Sequence, residues 1–414
     1  MRFTSSITLL AALSMCLPGL FAQGSQPVLQ TLYTFTGGSD AAYPSGGLAR
    51  DSHGVLYGLS SQGGSYGLGS AYKVTPPAAG GSTWTEAVIH SFGGSNDVQT
   101  PLANPVLDSS GNLYGATTSP YFGGVFELSP PTSGSAWAEP LILYPCEYRV
   151  ALSGPVLLDG QGNLYSECQD GQVQSYSLLY ERTTVLYTPE QTETAFGGIA
   201  LDSSGNIFGT NESNRQDLLG TVFEISETAG KWNETNIYRF PSLSKFYLPM
   251  FGVAIGPDGA LYGAALHDVP SAPGGVFRLG PPATGSIWNE TTLTTFKGPV
   301  GLQPSGPVVF DSKGNLYGVT AGGGVTTPAN PNGCGKVYKL LAPATPGGAW
   351  TPGWVYQFTC GSDGVHPAGN VVIRSDGTIY GTTTGISFDG TNPGCQSPKT
   401  AAAPRVTAFA SPSR

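Results

Sequence analysis

The sequence predicts an all-β protein: a seven-bladed β-propeller of four-stranded antiparallel blades, closed by its N-terminal strand. Three observations carry this. A phrase of the form Asp-Ser-x-Gly-x-Leu-Tyr-Gly recurs about every fifty residues, a period that belongs to propellers and repeat arrays. Strand-like pieces stand around each copy in a constant order. The chain also opens with a piece of the fourth kind and closes with pieces of the first and second kinds, so its two ends complete one blade between them.

The phrase stands at Asp51–Gly58 and Asp108–Gly115, and in full or degenerate form at Asp159–Ser166, Asp202–Gly209, Gly256–Gly263, Asp311–Gly318 and Arg374–Gly381. Its central aromatics are Tyr57, Tyr114, Tyr165, Phe208, Tyr262, Tyr317 and Tyr380. The start of each copy is a tight turn. Asp and Ser side chains bond the turn backbone, and Gly takes the positive φ that a hairpin reversal needs. Calcium loops carry more acidic residues and a distal Glu, so the turn reading is preferred.

In the first period the strand pieces are Gly47–Arg50, Val55–Ser60, Ser70–Thr75 and Glu86–Phe92. The third recurs from Gly123 (GGVFELSPP), Gly220 (GTVFEIS), Gly274 (GGVFRLGPP) and Gly335 (GKVYKLLAP). Short, aromatic or β-branched runs bounded by Gly, Pro, Ser and Asp are the strand and hairpin signal. Trp84, Trp137, Trp232, Trp288 and Trp350 each precede a fourth piece. Their regular place favours packing between blades over a sugar-binding platform. Leu29–Phe35 is an orphan fourth strand; Gly369–Arg374 and Thr378–Thr383 are first and second strands, with a degenerate third at Arg405–Ala410. The N-terminal strand is expected as the outer edge of that last blade, which removes an exposed edge.

Composition agrees. There are 60 Gly and 34 Pro in 414 residues, too many for a helical protein. Only 11% of residues are charged, against about 25% in ordinary domains. The net charge is −9 and no basic run occurs, which excludes nucleic acid and anionic membrane surfaces as expected partners. Residues 1–22 read as a signal peptide, with Arg2 as the positive end and Ile7–Leu17 as an apolar stretch too short to span a bilayer. That leaves 23–414 as a single propeller domain, repeats over about 28–385 and a degenerate segment over 386–414. The expected location is secreted, periplasmic or extracellular.

The remaining cysteines are Cys146, Cys168, Cys334, Cys360 and Cys395, with no Cys-x-x-Cys to suggest zinc or redox chemistry. Cys334 precedes a third strand and Cys360 follows the fourth of the same blade. Cys146 precedes a first strand and Cys168 follows the second. Antiparallel order brings each pair within reach of a bridge. Disulfides Cys334–Cys360 and Cys146–Cys168 are therefore expected, with Cys395 free.

The phrases DSSGNLYGATT from Asp108, DSKGNLYGVTAGGG from Asp311, GTVFEIS from Gly220 and TLYTFTGGSDAAYPSGGL from Thr31 resemble the GloVer tandem-repeat family of secreted bacterial proteins with varied C-terminal surface anchors. The strand order is also similar to that of NHL-type propellers. The resemblance implies export and a propeller-like repeat, and implies no catalytic residues. The sequence ends at Arg414 without an apolar tail or sorting motif, so anchoring by that route is not expected.

In such a propeller the second-to-third loops share one face with the blade-to-blade crossings. That face carries the variable sequence: Gln62–Gly69, Thr118–Gly123, Asn211–Gly220, His267–Gly274, Gly322–Gly335 and Gly385–Pro404. Variable loops on a repeated scaffold are where binding resides. Asp40, Asp97 and Asp363 lie in crossings on this face and are the candidate ligand-binding residues, although solvated turn Asp is the plainer reading. His53 and His90 cannot easily meet His267 and His366, so no metal site is expected. No nucleophile elbow, His-Glu-x-x-His or phosphate loop occurs, and no cofactor is expected. The expected function is a monomeric, non-catalytic propeller that binds an extracellular glycan or protein. The alternative is a hydrolase or lyase acting on extracellular polysaccharide, which needs two converging carboxylates, or a base and a metal.

Overall fold

The computed structural model describes residues 28–93, 98–101, 103–117, 124–133, 137–138, 141–143, 146, 152, 154–189, 194–212, 220–241, 248–266, 274–282, 288–297, 302–345, 347–385 and 405–410. Every regular element among them is a β-strand. Chain order gives β1 (Val28–Thr34); β2–β5 (Ala41–Arg50, Leu56–Gly63, Ser70–Thr75, Thr85–Ser91); and β6–β9 (Val106–Leu107, Leu113–Ala116, Val125–Leu128, Leu141–Leu143). Next come β10–β13 (Leu157–Leu158, Asn163–Glu167, Val173–Ser177, Arg182–Tyr187) and β14–β17 (Thr194–Leu201, Ile207–Glu212, Thr221–Thr228, Lys231–Arg239). The last are β18–β21 (Val253–Ile255, Leu261–Ala265, Gly274–Gly280, Asn289–Phe296), β22–β26 (Leu302–Pro304, Val309–Phe310, Leu316–Gly322, Lys336–Leu341, Thr351–Gln357) and β27–β29 (Pro367–Ile373, Thr378–Thr383, Arg405–Ala410).

The expectation of seven four-stranded blades is corrected: there are six four-stranded sheets, and the β22–β26 sheet has five strands. Its first strand is broken into β22 and β23, both paired with β24. The break has a local cause. A side chain on Gly306, inside the break, would strike the backbone of Gly369 in the next sheet. Ser305 N–H is kept on Val319 O (3.1 Å) while its hydroxyl bonds Pro367 O (2.6 Å). The two ends of the chain share one sheet, in the order β1-β29-β28-β27, with β1 antiparallel to β29.

The recurrent turn is built around its first residue. Asp311 Oδ1 accepts the N–H groups of Lys313 (2.9 Å) and Asn315 (2.8 Å). Its Oδ2 accepts the Asn315 side-chain amide (2.8 Å) and the Tyr317 hydroxyl (3.1 Å). Asp108 and Asp159 repeat all four bonds. The phrase is thus a single hydrogen-bonded unit from its Asp to its Tyr. Burial pushes the carboxyls of Asp159 and Asp311 up, but the bonds they accept outweigh it and hold both below the ordinary range. Where Gly256 occupies the first position, Asp258 takes over and bonds both Tyr262 (3.0 Å) and Arg278 (2.7 Å).

The Gly that ends the phrase leaves room for an aromatic ring on the third strand. A side chain at Gly58, Gly115, Gly209, Gly263 or Gly318 would overlap the ring of Tyr72, Phe126, Phe223, Phe277 or Tyr338 respectively. Each is its partner directly across the ladder. Where the phrase ends in Ser166 the partner is Gln174.

Three devices join the sheets into a ring. Tryptophans lock onto the central aromatic of the preceding sheet: Trp137 on Tyr57 (6.0 Å between centroids), Trp288 on Phe208 (6.1 Å), Trp350 on Tyr262 (5.5 Å) and Trp84 on Tyr380 (6.1 Å). The last joins the β2–β5 sheet to the sheet holding both chain ends. Innermost strands also meet backbone to backbone. Added side chains at Gly46, Gly154, Gly197 and Gly369 would strike the backbones of Ala103, Gly198, Gly252 and Gly46–Gly47. Finally, Tyr43, Thr100, Gln303 and His366 have φ near +50°, each just before a proline. That conformation is disfavoured before proline, yet it seats Pro101, Pro304 and Pro367 against Gly69, Gly274 and Gly335 of the preceding sheet.

Candidate functional site

Asp40 and Asp363 occupy matching crossings. Asp363 Oδ2 accepts the Tyr356 hydroxyl (3.0 Å) and Thr359 N–H (2.7 Å); its Oδ1 accepts the Thr359 hydroxyl (2.7 Å) and Gly361 N–H (3.1 Å). Asp40 does the same with Tyr33, Thr36 and Ala41. Each carboxylate is therefore a staple for its own loop. Asp97 lies outside the described residues, as do His267 and Cys395. His53 is exposed in a turn and His90 stacks on Phe92 (4.7 Å). His366 is buried, its Nδ1 2.6 Å from Ala321 O and its Nε2 3.0 Å from Asn330 Oδ1. Burial lowers its imidazole below the ordinary range, although the Ala321 contact opposes this. Among the described residues no three His, Cys, Asp or Glu side chains are grouped to hold a metal.

Both expected disulfides form: Cys146–Cys168 with 5.8 Å between Cα atoms, and Cys334–Cys360 with 5.3 Å. The second fastens the 322–335 loop to the following crossing. The loop is further fixed by Gly323 N–H to Asn332 O (2.7 Å), Cys334 N–H to Val325 O (3.0 Å) and Gly335 N–H to Gly323 O (3.1 Å). His366 N–H bonds Cys334 O (3.0 Å) from the crossing side. This loop is thus a preformed wall on the face where the sequence placed variable loops. The 118–123 and 267–273 loops lie outside the described residues.

Beside that wall stands a pair of residues the sequence reading passed over. Trp354, on the outer strand β26, is 41% exposed. Lys336, at the start of β25, is only 5% exposed, and its Nζ lies 4.2 Å from the Trp354 ring centroid. Gln357, directly across from Lys336, is exposed. Phe296 of the neighbouring sheet backs the indole at 6.2 Å. Burial lowers the Lys336 ammonium below its ordinary range. The signal for Trp354 was present: Trp350 already fills the lock position, so a second Trp four residues on has no lock to make.

One further group stands out electrically. Glu86, on β5, is pushed up to about 7 by burial and then by the charge of Asp40. A carboxyl raised in the folded state stabilises that state fully only below its unfolded value. The contribution fades as pH rises through the folded value. Glu86→Gln is expected to raise the melting temperature at pH 8 by about 1–2 °C, the group being partly solvated. The gain should vanish below pH ~4.5, where both side chains are neutral. Thermal unfolding of the two proteins at both pH values measures it.

No curated protein matches the chain. Several solved structures share its fold. PorZ, an essential bacterial surface component of the type-IX secretion system of Porphyromonas gingivalis, is 14% identical with a TM-score of 0.52; the match covers 92% of this chain and 48% of PorZ. The extracellular domain of BT3049 from B. thetaiotaomicron is 13% identical with a TM-score of 0.53, over 93% of this chain and 41% of that one. The WD40 β-propeller domain of Doa1 is 12% identical with a TM-score of 0.52, over 92% and 97% of the two chains. The chain spans less than half the length of the first two, and at such identities the likeness is one of fold. Residues 195–394 match a sequence family directly. They run through the turns, glycine–aromatic pairs and tryptophan locks of the β14–β28 region, and the family they match is the Gloeobacter/Verrucomicrobia repeat.

Proposed function

We infer that this chain is a secreted or cell-surface propeller that binds an extracellular glycan through the face of its second-to-third loops, and does no chemistry on it. The observation that carries this reading is Trp354. It stands outside the locks that engage Trp84, Trp137, Trp288 and Trp350, and it is exposed beside a disulfide-fixed loop on that face. Exposed aromatic rings on a rigid scaffold suit the apolar surfaces of sugars. Two disulfides agree with an oxidising compartment. Two of the similar folds come from surface or extracellular proteins, which fits the same location.

The enzyme alternative needs carboxylates free to exchange protons. Asp40 and Asp363 instead have both oxygens engaged by donors of their own loops. The test is a panel of soluble polysaccharides run in affinity electrophoresis against residues 23–414, with reducing ends assayed in parallel. Retardation without new reducing ends is expected. Release of new ends contradicts the reading, as does passage through every gel unretarded.

A further inference from the structure

The Trp354–Lys336 pair has a chemistry more specific than a sugar platform. Lys336 is almost fully buried, and the contact its ammonium makes among the described residues is with the Trp354 ring. Taking a cation out of water is costly unless an anion meets it, and a π-face returns only part of that cost. Most buried lysines are paired; among the described residues Nζ makes neither an ion pair nor a hydrogen bond. Gly324 of the loop packs close against the pair: a Cβ there would come within 2.8 Å of Gln357 Cγ and 3.1 Å of Lys336 Cε, so only glycine lets both side chains keep their places. Gln357, across from Lys336, adds an exposed amide, which both donates and accepts.

We propose that the Trp354–Lys336 pair binds the carboxylate-bearing sugar units of an acidic polysaccharide, the exposed part of the Trp354 indole lying against a pyranose and the Lys336 ammonium pairing with the uronate carboxylate. The inference rests on the reading of the chain as a glycan-binding propeller and names the class of glycan. A net charge of −9 repels polyanions at long range. At physiological salt that field is screened beyond about 8 Å, so the buried local cation decides the encounter.

Isothermal titration with polygalacturonate and, as the neutral counterpart, dextran tests this. Polygalacturonate should bind the wild-type protein at least tenfold more tightly than dextran. Trp354→Ala and Lys336→Met should each weaken polygalacturonate at least tenfold. Tyr180→Ala, an exposed aromatic in the β12–β13 turn on the opposite face, should leave it unchanged. Should Lys336→Met fail to fold, acylation of Lys336 in the wild-type protein supplies the same answer: polygalacturonate should slow it severalfold and dextran should not. Equal affinity for both polysaccharides, or wild-type binding in the Trp354 and Lys336 variants, overturns the proposal. Binding of dextran alone overturns it too but leaves the glycan-binding reading intact. Binding of neither removes both.

Discussion

Replacing Gly369 with alanine is expected to cost the fold about 4 kcal/mol or more, enough to unfold a typical domain at modest temperature. Gly369 sits on an innermost strand with φ of +74°, and its N–H bonds Ser305 O (3.0 Å) in the neighbouring sheet. An added methyl group would enter the backbone of Gly46 and Gly47 on its other side. Backbone cannot rotate away as a side chain can, so the sheets themselves must separate. Gly377 supplies the control. Its φ is +85°, yet nothing lies within 4 Å of an added Cβ. Alanine there should cost only the left-handed strain, about 1–2 kcal/mol. Chemical denaturation of the two variants separates the crowding of the hub from the strain of the backbone.

The second large effect is expected from opening the Cys334–Cys360 bridge. It spans a sequence separation of 26 residues, and removing it as a paired serine variant should cost about 3 kcal/mol in the chain-entropy model. The Cys146–Cys168 bridge, at a separation of 22, should cost nearly the same. The two differ in what they hold. Cys334 anchors the 322–335 loop, which borders Lys336, whereas Cys146–Cys168 fastens the β10–β13 region. Loss of the first should therefore also weaken glycan binding several-fold, and loss of the second should not. Denaturant midpoints give the stability of each, and titration with polygalacturonate gives the binding.

Much of the scaffold was legible because it is local and repeated. Turn, strand and lock recur at fixed offsets within each period, so Asp311, Tyr317, Gly318 and Tyr338 could be aligned with Asp108, Tyr114, Gly115 and Phe126 before any fold was known. The disulfides followed from strand order alone. What stayed hidden was decided between blades. The splitting of β22 from β23 depends on how near the Gly369 backbone comes to Gly306, and no pattern inside one period announces that. The left-handed residues before Pro101, Pro304 and Pro367 go against local preference and persist because the proline rings are seated on the preceding blade. Asp40 and Asp363 were read as candidate ligand-binding residues, and their spacing also carried a structural role that the reading passed over. Tyr33, Thr36 and Asp40 repeat as Tyr356, Thr359 and Asp363, the three donors and acceptors of one loop staple. Lys336 was invisible because its burial depends on Trp354 folding over it from the neighbouring strand.

The most direct measurement is hydrogen–deuterium exchange of the intact protein with and without polygalacturonate. Binding at Trp354 and Lys336 predicts added protection in residues 322–336 and 351–358, with the Asp-x-x-Gly turns at 51–54 and 311–314 unchanged. Protection of those turns, with the 322–336 loop unaffected, would place the ligand on the opposite face and contradict the account.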